Sequence, residues 1–216
     1  VITGPTASGK TARAVDVAIA LNGEIISADS RQIYRRMDIG TGKDLNEYGD
    51  VSYHLIDIAE PGYKYNLYEY LRDYQKAYKQ IVERGKQPIL CGGTGLYVES
   101  VLNGIQLPEV PINPPLRQKY TNWSLQELTE LLATKKRLHN TTDVDTAQRA
   151  IRALEIAEYY EQNPEEAVAA QPCPIKDAVI IGVDIPRDAR REMISKRLHS
   201  RLDEGMIDEV RNLLAS

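Results

Sequence analysis

The chain has 216 residues, 42% of them hydrophobic and 27% charged, with a formal net charge of −4. This is an ordinary globular balance with room for one sizeable α/β domain and a small appendage, and an acidic total does not announce a nucleic-acid binder. No apolar run approaches the roughly 20 residues that cross a membrane, no cleavable leader is visible, and Cys91 and Cys173 lack any disulfide or zinc spacing, so a soluble intracellular protein is expected.

Val1, Ile2 and Thr3 form a β-like start that runs straight into a glycine loop, although such a loop normally follows a buried strand of about five residues. The chain also stops at Ser216 inside a helical pattern without a stop signal, so a fragment or an incompletely ordered chain is expected. Between Gly9 and Leu21, the residues Ala14, Val17, Ala18 and Leu21 recur at helical spacing. Glu24 to Ala28 is a short strand leading into Asp29, and His54 to Ile58 is read as another, stopped by Pro61 and Gly62. Asn66 then precedes a long amphipathic helix whose face carries Leu67, Tyr70, Leu71, Tyr74, Ala77, Tyr78, Ile81 and Val82, and Gly85 ends it. Pro88 to Cys91 is a further strand, followed by Gly92, Gly93, Thr94 and Gly95 and a helix to about Leu102. Strands and helices alternating at this rhythm predict a parallel sheet covered on both faces.

The pattern then breaks. Leu107 to Pro115 holds four prolines and is expected to be irregular, which places a boundary there. Ser124 to Thr134 and Thr146 to Tyr160 read as helices, the second with Asp143 or Asp145 as N-cap. Asn163 to Pro174 reads as a flexible connector, after which Ala178 to Val183 is a strand and a helix begins near Pro186. The expected architecture is thus a P-loop α/β core over 1–107, a helical insertion over 108–162, and a connector returning to the core over 163–216. Arg187, Arg190, Arg191, Lys196, Arg197 and Arg201 crowd the last helix against only Asp188 and Glu192, which reads as a solvated face.

Three turns carry chemistry. Gly4, Pro5, Thr6, Ala7, Ser8, Gly9, Lys10 and Thr11 match G-x-x-x-x-G-K-S/T at every fixed position. The glycines let backbone N–H groups point inward as an anion cradle, Lys10 adds a mobile positive charge, and the Thr11 hydroxyl suits Mg²⁺. Asp29, just past the second strand, lies on the sheet edge where ligands bind; it is a metal-associated carboxylate, a base or a simple N-cap. The adjacent Arg31 and Gln32 offer planar hydrogen-bonding groups. Gly92 to Gly95 is either a tight turn and nothing more, or a turn that brings Thr94 and backbone N–H groups to a substrate.

GPTASGKT, DSRQIYRRMDIGTGK (Asp29 to Lys43), HLIDI (His54 to Ile58) and GGTGLY, in that order, resemble the tRNA dimethylallyltransferase family. So do the runs Gln148 to Glu155 and Arg197 to Val210, and the likeness covers nearly the whole chain. The resemblance implies a P-loop that holds the leaving pyrophosphate of dimethylallyl diphosphate instead of ATP, with Mg²⁺. It implies Asp29 as the base for the exocyclic amine of the adenine beside the anticodon, Lys10 and Thr94 at the reacting centre, and Thr6 and Ser8 near the diphosphate. Contacts to the tRNA anticodon stem-loop are implied for Asp29, Ser30, Arg31, Gln32, Thr94, Arg117, Gln148, Arg149, Ala150, Ile151 and Arg152. A cytoplasmic monomer without membrane attachment is expected. The competing reading is a small-molecule or nucleoside monophosphate kinase, with Asp29 at the acceptor hydroxyl and the arginines after Pro186 clamping phosphates; DSRQ followed by GGTGLY speaks against it.

Overall fold

The computed structural model describes residues 1–107, 109–135, 144–169, 175 and 177–215. Pro108, Asp143 and Cys173, which figure in the sequence reading, lie outside them. The chain divides into two compact units, Val1–Ile105 with Cys173–Ser216, and Gln106–Pro172.

The first unit holds a parallel sheet of short strands β1 (Ile2–Thr3), β2 (Gly23–Ser27), β3 (Tyr53–His54), β4 (Gln87–Gly92) and β5 (Ile181–Gly182), ordered β3-β2-β4-β1-β5. Helices α1 (Lys10–Leu21), α2 (Leu67–Glu83) and α3 (Gly95–Leu102) connect the strands. Successive residues of a strand point to opposite faces, and here both faces are apolar. Ile26 and Leu90 pack with Tyr70, Leu71, Ile81, Val98 and Val101 of α2 and α3. Their neighbours Ile25 and Ile89 pack with Ala14 and Ala18 of α1. Because β4 inserts between β1 and β2, the strand order reverses there. The crevice beyond those strand ends is where an open α/β sheet binds ligands.

Local rules explain α2. The Asn66 side chain accepts from Glu69 N–H at 3.1 Å while the Glu69 carboxylate accepts from Asn66 N–H at 3.1 Å, a reciprocal capping box. At the other end Gly85 is left-handed and its N–H reaches the Val82 carbonyl at 2.9 Å.

Several expectations are corrected. His54 to Ile58 is not one strand: β3 ends at His54, and Leu55 and Asp57 are left-handed. The segment leaves the sheet because it pairs elsewhere, Asp57 N–H with the Gln32 carbonyl and Ile58 N–H with the Ile33 carbonyl. Of Ala178 to Val183 only two residues are strand, since this edge has just the two residues of β1 to pair with, and Val179 is 76% exposed. Past Pro186 the chain forms two helices, α8 (Arg187–Asp203) and α9 (Met206–Leu214), parted by left-handed Gly205.

The second unit holds α4 (Pro114–Tyr120), α5 (Leu125–Lys135), α6 (Ala147–Gln162) and α7 (Pro164–Ala169) around Leu116, Tyr120, Leu128, Leu132, Ala150 and Leu154. The proline-rich stretch ends in a helix because Pro114 and Pro115 occupy the first turn, where a missing N–H costs nothing, and Asn113 caps it through Leu116 N–H. Thr146, rather than Asp145, caps α6; Asp145 pairs with Arg149 instead. The expected connector contains α7, which opens on Pro164 with Glu165 and Glu166 in its first turn. No helix among the described residues is long and apolar enough to cross a membrane.

Candidate active site

The loop between β1 and α1 is built as an anion cradle. Ala7 and Gly9 are left-handed, so N–H groups turn inward at the start of α1. Lys10 Nζ folds back onto the Pro5 carbonyl at 2.7 Å, and burial pulls its amine below the ordinary lysine value. An ammonium desolvated in that way would gain from an arriving anion, whose charge favours its protonated form. Ser8 Oγ is buried and, among the described residues, has no hydrogen-bond partner, which leaves its hydroxyl free on the phosphate loop. Thr6 is exposed, and Thr11 is half-buried on the first turn of α1.

A cleft of about 500 Å³ opens on this loop and is lined by Ser8, Lys10 and Thr11 on one side and Lys196, Arg197 and Arg201 on the other. The α8 arginines expected to be a solvated face therefore include two that front the phosphate loop. Arg197 Nη2 donates to the Gly42 carbonyl at 3.3 Å and to Asp44, and Arg201 Nη2 lies 3.5 Å from the Asp44 carboxylate. Burial and the neighbouring Arg197 charge pull the Arg201 guanidinium below its ordinary value. The family-like run Arg197 to Val210, the spacing of four on one helix face and the glycines of GTGK are the signals in the sequence, and none says which way the face points.

The two other turns meet across the sheet edge. Gly92 ends β4 so close to β2 that a side chain there would stand 2.2 Å from the Ala28 carbonyl, so only glycine fits. Thr94 N–H then donates to the Ala28 carbonyl at 3.0 Å, Ser30 N–H donates to Thr94 Oγ1 at 2.9 Å, and Thr94 Oγ1 is 3.3 Å from Ser30 Oγ. A Cβ placed on Gly93 would stand 3.7 Å from Lys10 Nζ. The structure thus brings Lys10, Asp29, Ser30 and Thr94 to one edge.

Asp29 Oδ1 accepts from Arg31 N–H at 2.9 Å and Gln32 N–H at 3.4 Å, so the carboxylate caps its own turn with one oxygen. Among the described residues nothing donates to its second oxygen. Arg31 is exposed, whereas Gln32 is engaged, its amide donating to the Gly42 carbonyl at 2.9 Å. The TGK and HLID motifs are joined by buried Lys43, whose Nζ donates to the Tyr34 carbonyl at 2.7 Å, to Asp38 at 2.6 Å and to Asp57.

In the helical unit the arginine run is split by its partners. Arg117 grips the buried Glu155 carboxylate at 2.7 and 2.9 Å, and Arg152 donates to Glu155 at 2.9 Å and to the Val110 carbonyl at 2.7 Å. Although burial opposes it, these bonds hold the Glu155 carboxyl below the usual carboxylate range. Ala150 is enclosed in the helical core, so its part is packing rather than the RNA contact implied for it. Ile151 is half-buried, and Gln148 and Arg149 are exposed.

The model of the IPP transferase family matches residues 32–216, and that of isopentenyl transferases matches residues 1–50. The chain belongs to the IPP transferase family. It is 58% identical to tRNA dimethylallyltransferase 1 of Parabacteroides distasonis over 100% of this chain and 70% of that relative. It is also 58% identical to tRNA dimethylallyltransferase 2 of Bacteroides fragilis, over 99% of this chain and 70% of the relative. The crystal structure of the full-length tRNA isopentenylpyrophosphate transferase from Bacillus halodurans superposes with a TM-score of 0.67 at 34% identity, covering 99% of this chain and 69% of that one. An IPP transferase is a prenyl-transferring enzyme, and a P-loop sheet flanked by helices is the architecture this member shares with its solved relative.

Proposed function

We propose that the chain transfers a dimethylallyl group from dimethylallyl diphosphate to the N6 amine of the adenine next to the anticodon in tRNA, releasing pyrophosphate. The observation that carries this reading is the meeting of two unlike groups at one sheet edge. One is a cationic cradle with an unpartnered Ser8 hydroxyl; the other is Asp29, with a carboxylate oxygen to spare. A kinase would use the same pair, with the carboxylate at its acceptor hydroxyl; membership of the IPP transferase family is what favours alkylation of an amine.

In the proposed step the allylic C–O bond breaks with carbocation character, and charge gathers on the departing phosphate oxygens. The loop N–H groups, Lys10, Ser8, Arg197 and Arg201 stabilise that charge. The N6–C bond forms as the amine proton passes to Asp29, and pyrophosphate leaves in the cradle. Thr94, fastened to Ser30, holds the turn on which Asp29 sits. Thr11, whose hydroxyl suits a hard cation and which lines the cleft, would hold Mg²⁺, and the ion would supply further neutralisation of the leaving group. The adenine must leave its stack to reach Asp29. Arg31 on the sheet unit and, separately, Gln148 and Arg149 on the helical unit are exposed groups that would contact RNA, while Arg117 and Arg152 brace the helical unit through Glu155. A cytoplasmic monomer is the form this reading expects.

The test supplies the full chain with unmodified tRNA, Mg²⁺ and radiolabelled dimethylallyl diphosphate, and counts label in RNA. AMP and an anticodon loop lacking the adenine serve as parallel acceptors. Label only in the adenine-containing tRNA is the expected outcome. Label in AMP would move the assignment to a free-nucleotide enzyme, and ATP consumption without labelling would make the P-loop a kinase site.

A further inference from the structure

Three consecutive backbone N–H groups, those of Asp38, Ile39 and Gly40, converge on the Glu209 carboxylate of α9 at 2.8, 2.7 and 2.9 Å. Bonds to an ionised acceptor are roughly twice as strong as neutral ones, and successive N–H groups form a concavity that favours an anion. The fit is close: a Cβ on Gly40 would stand 3.3 Å from Glu209 Oε1. The same loop is pinned to the sheet unit from its other side, because Lys43 is buried against Tyr34, Asp38 and Asp57. Two residues beyond Gly40, the loop touches α8 as well. A side chain at Gly42 would stand 1.6 Å from Arg201 Nη2 and 2.5 Å from Arg197 Nη2.

Among the described residues α8 and α9 bury no side chain, and the contacts that join the pair to the 38–44 loop are these polar ones. The two guanidinium groups, held side by side, repel one another, and Arg197 also repels Lys10. Polar bonds fasten the pair to this loop. Asp44 offsets the repulsion locally, and Glu209 supplies the anchorage on the second helix. We propose that Glu209 is a positioning residue: by seating its carboxylate on the N–H groups of residues 38–40, it fastens α8 and α9 to the 38–44 loop and so holds Arg197 and Arg201 at the phosphate loop. This rests on the reading of that cleft as the diphosphate site.

Calorimetric titration of the full chain with inorganic pyrophosphate and Mg²⁺ tests it, alongside turnover with tRNA and dimethylallyl diphosphate. Glu209→Ala is expected to weaken pyrophosphate and raise KM for the diphosphate by about tenfold, the scale of one misplaced charge-assisted contact, with a smaller change in kcat. Glu209→Gln, which keeps an acceptor oxygen, is expected to recover part of the loss and covers the case in which the alanine variant folds poorly. In an Arg197→Ala/Arg201→Ala background, Glu209→Ala should add little, because its effect is transmitted through those side chains. Unchanged pyrophosphate affinity in both Glu209 variants overturns the proposal, as does an undiminished effect in the arginine-free background. Absence of pyrophosphate binding by the unsubstituted chain would instead remove the cleft reading on which the proposal stands, and the proposal with it.

Discussion

Asp29 does two jobs in this structure, and two substitutions separate them. Its Oδ1 accepts from Arg31 N–H at 2.9 Å and more weakly from Gln32 N–H at 3.4 Å, and its second oxygen is the one proposed to take the amine proton. Asp29→Asn keeps an acceptor for the turn and removes the basic carboxylate. Asp29→Ala removes both. Loss of a positioned base costs about 10²–10⁴ in rate, or about 3–5 kcal/mol on the barrier. The turn bonds contribute about 1 kcal/mol between them, the longer one being poor in geometry. The two variants should therefore both lose about 10²–10⁴ in single-turnover labelling of saturating tRNA. Alanine should fall below asparagine by no more than about tenfold, and calorimetry should find pyrophosphate binding near that of the unsubstituted chain in both. If Asp29→Asn labels tRNA at close to the normal rate while Asp29→Ala does not, Asp29 is a turn cap and the base lies elsewhere.

Gly42→Ala should be the most damaging single methyl in the α8 region: a left-handed alanine costs about 1–2 kcal/mol, and its Cβ would evict the Arg201 guanidinium, so KM for dimethylallyl diphosphate should rise with tRNA affinity little changed. Glu155→Gln leaves Arg117 and Arg152 facing each other without a counter-charge. The helical unit should lose stability toward the lower end of the about 3–5 kcal/mol typical of a broken buried pair, because both arginines reach solvent; urea unfolding measures it. Glu24 is buried between Arg84 at 2.7 Å and His54 at 2.6 Å, and the Arg84 hydrogen bond is the main cause that holds its carboxyl below the ordinary 4.5. A carboxyl with a depressed folded pKa adds stability that is full above the unfolded value and lost as pH falls through the folded one. Denaturant midpoints of the unsubstituted chain should thus drop below about pH 4.5 more steeply than those of Glu24→Gln.

What the sequence discloses and what it hides divide along the range of the forces involved. The phosphate loop, the capping box of Asn66 and Glu69, and the glycine stop at Gly85 depend on residues within a few positions of one another, and all are legible as strings. The strand expected over His54 to Ile58 fails because its end is decided by buried Lys43 and by the 32–33 backbone, neither of which is nearby in sequence. The same distinction divides the arginines. Arg117 and Arg152 are implied as RNA contacts by their motifs alone, and that one carboxylate, Glu155, holds both, 38 residues from Arg117, is not legible in the string. Arg197 and Arg201 look like a solvated face until Gly42 and Asp44, about 155 residues earlier, are seen to turn them toward the phosphate loop. An arginine has no intrinsic role that its neighbours in the chain can reveal, since its charge and five donors serve a carboxylate, a carbonyl or a phosphate equally well. Its role is set by which acceptor the fold has already placed opposite it. In the cleft, the acceptors that the fold supplies to the α8 arginines are the Gly42 carbonyl and the Asp44 carboxylate, and the diphosphate proposed above would be a further one.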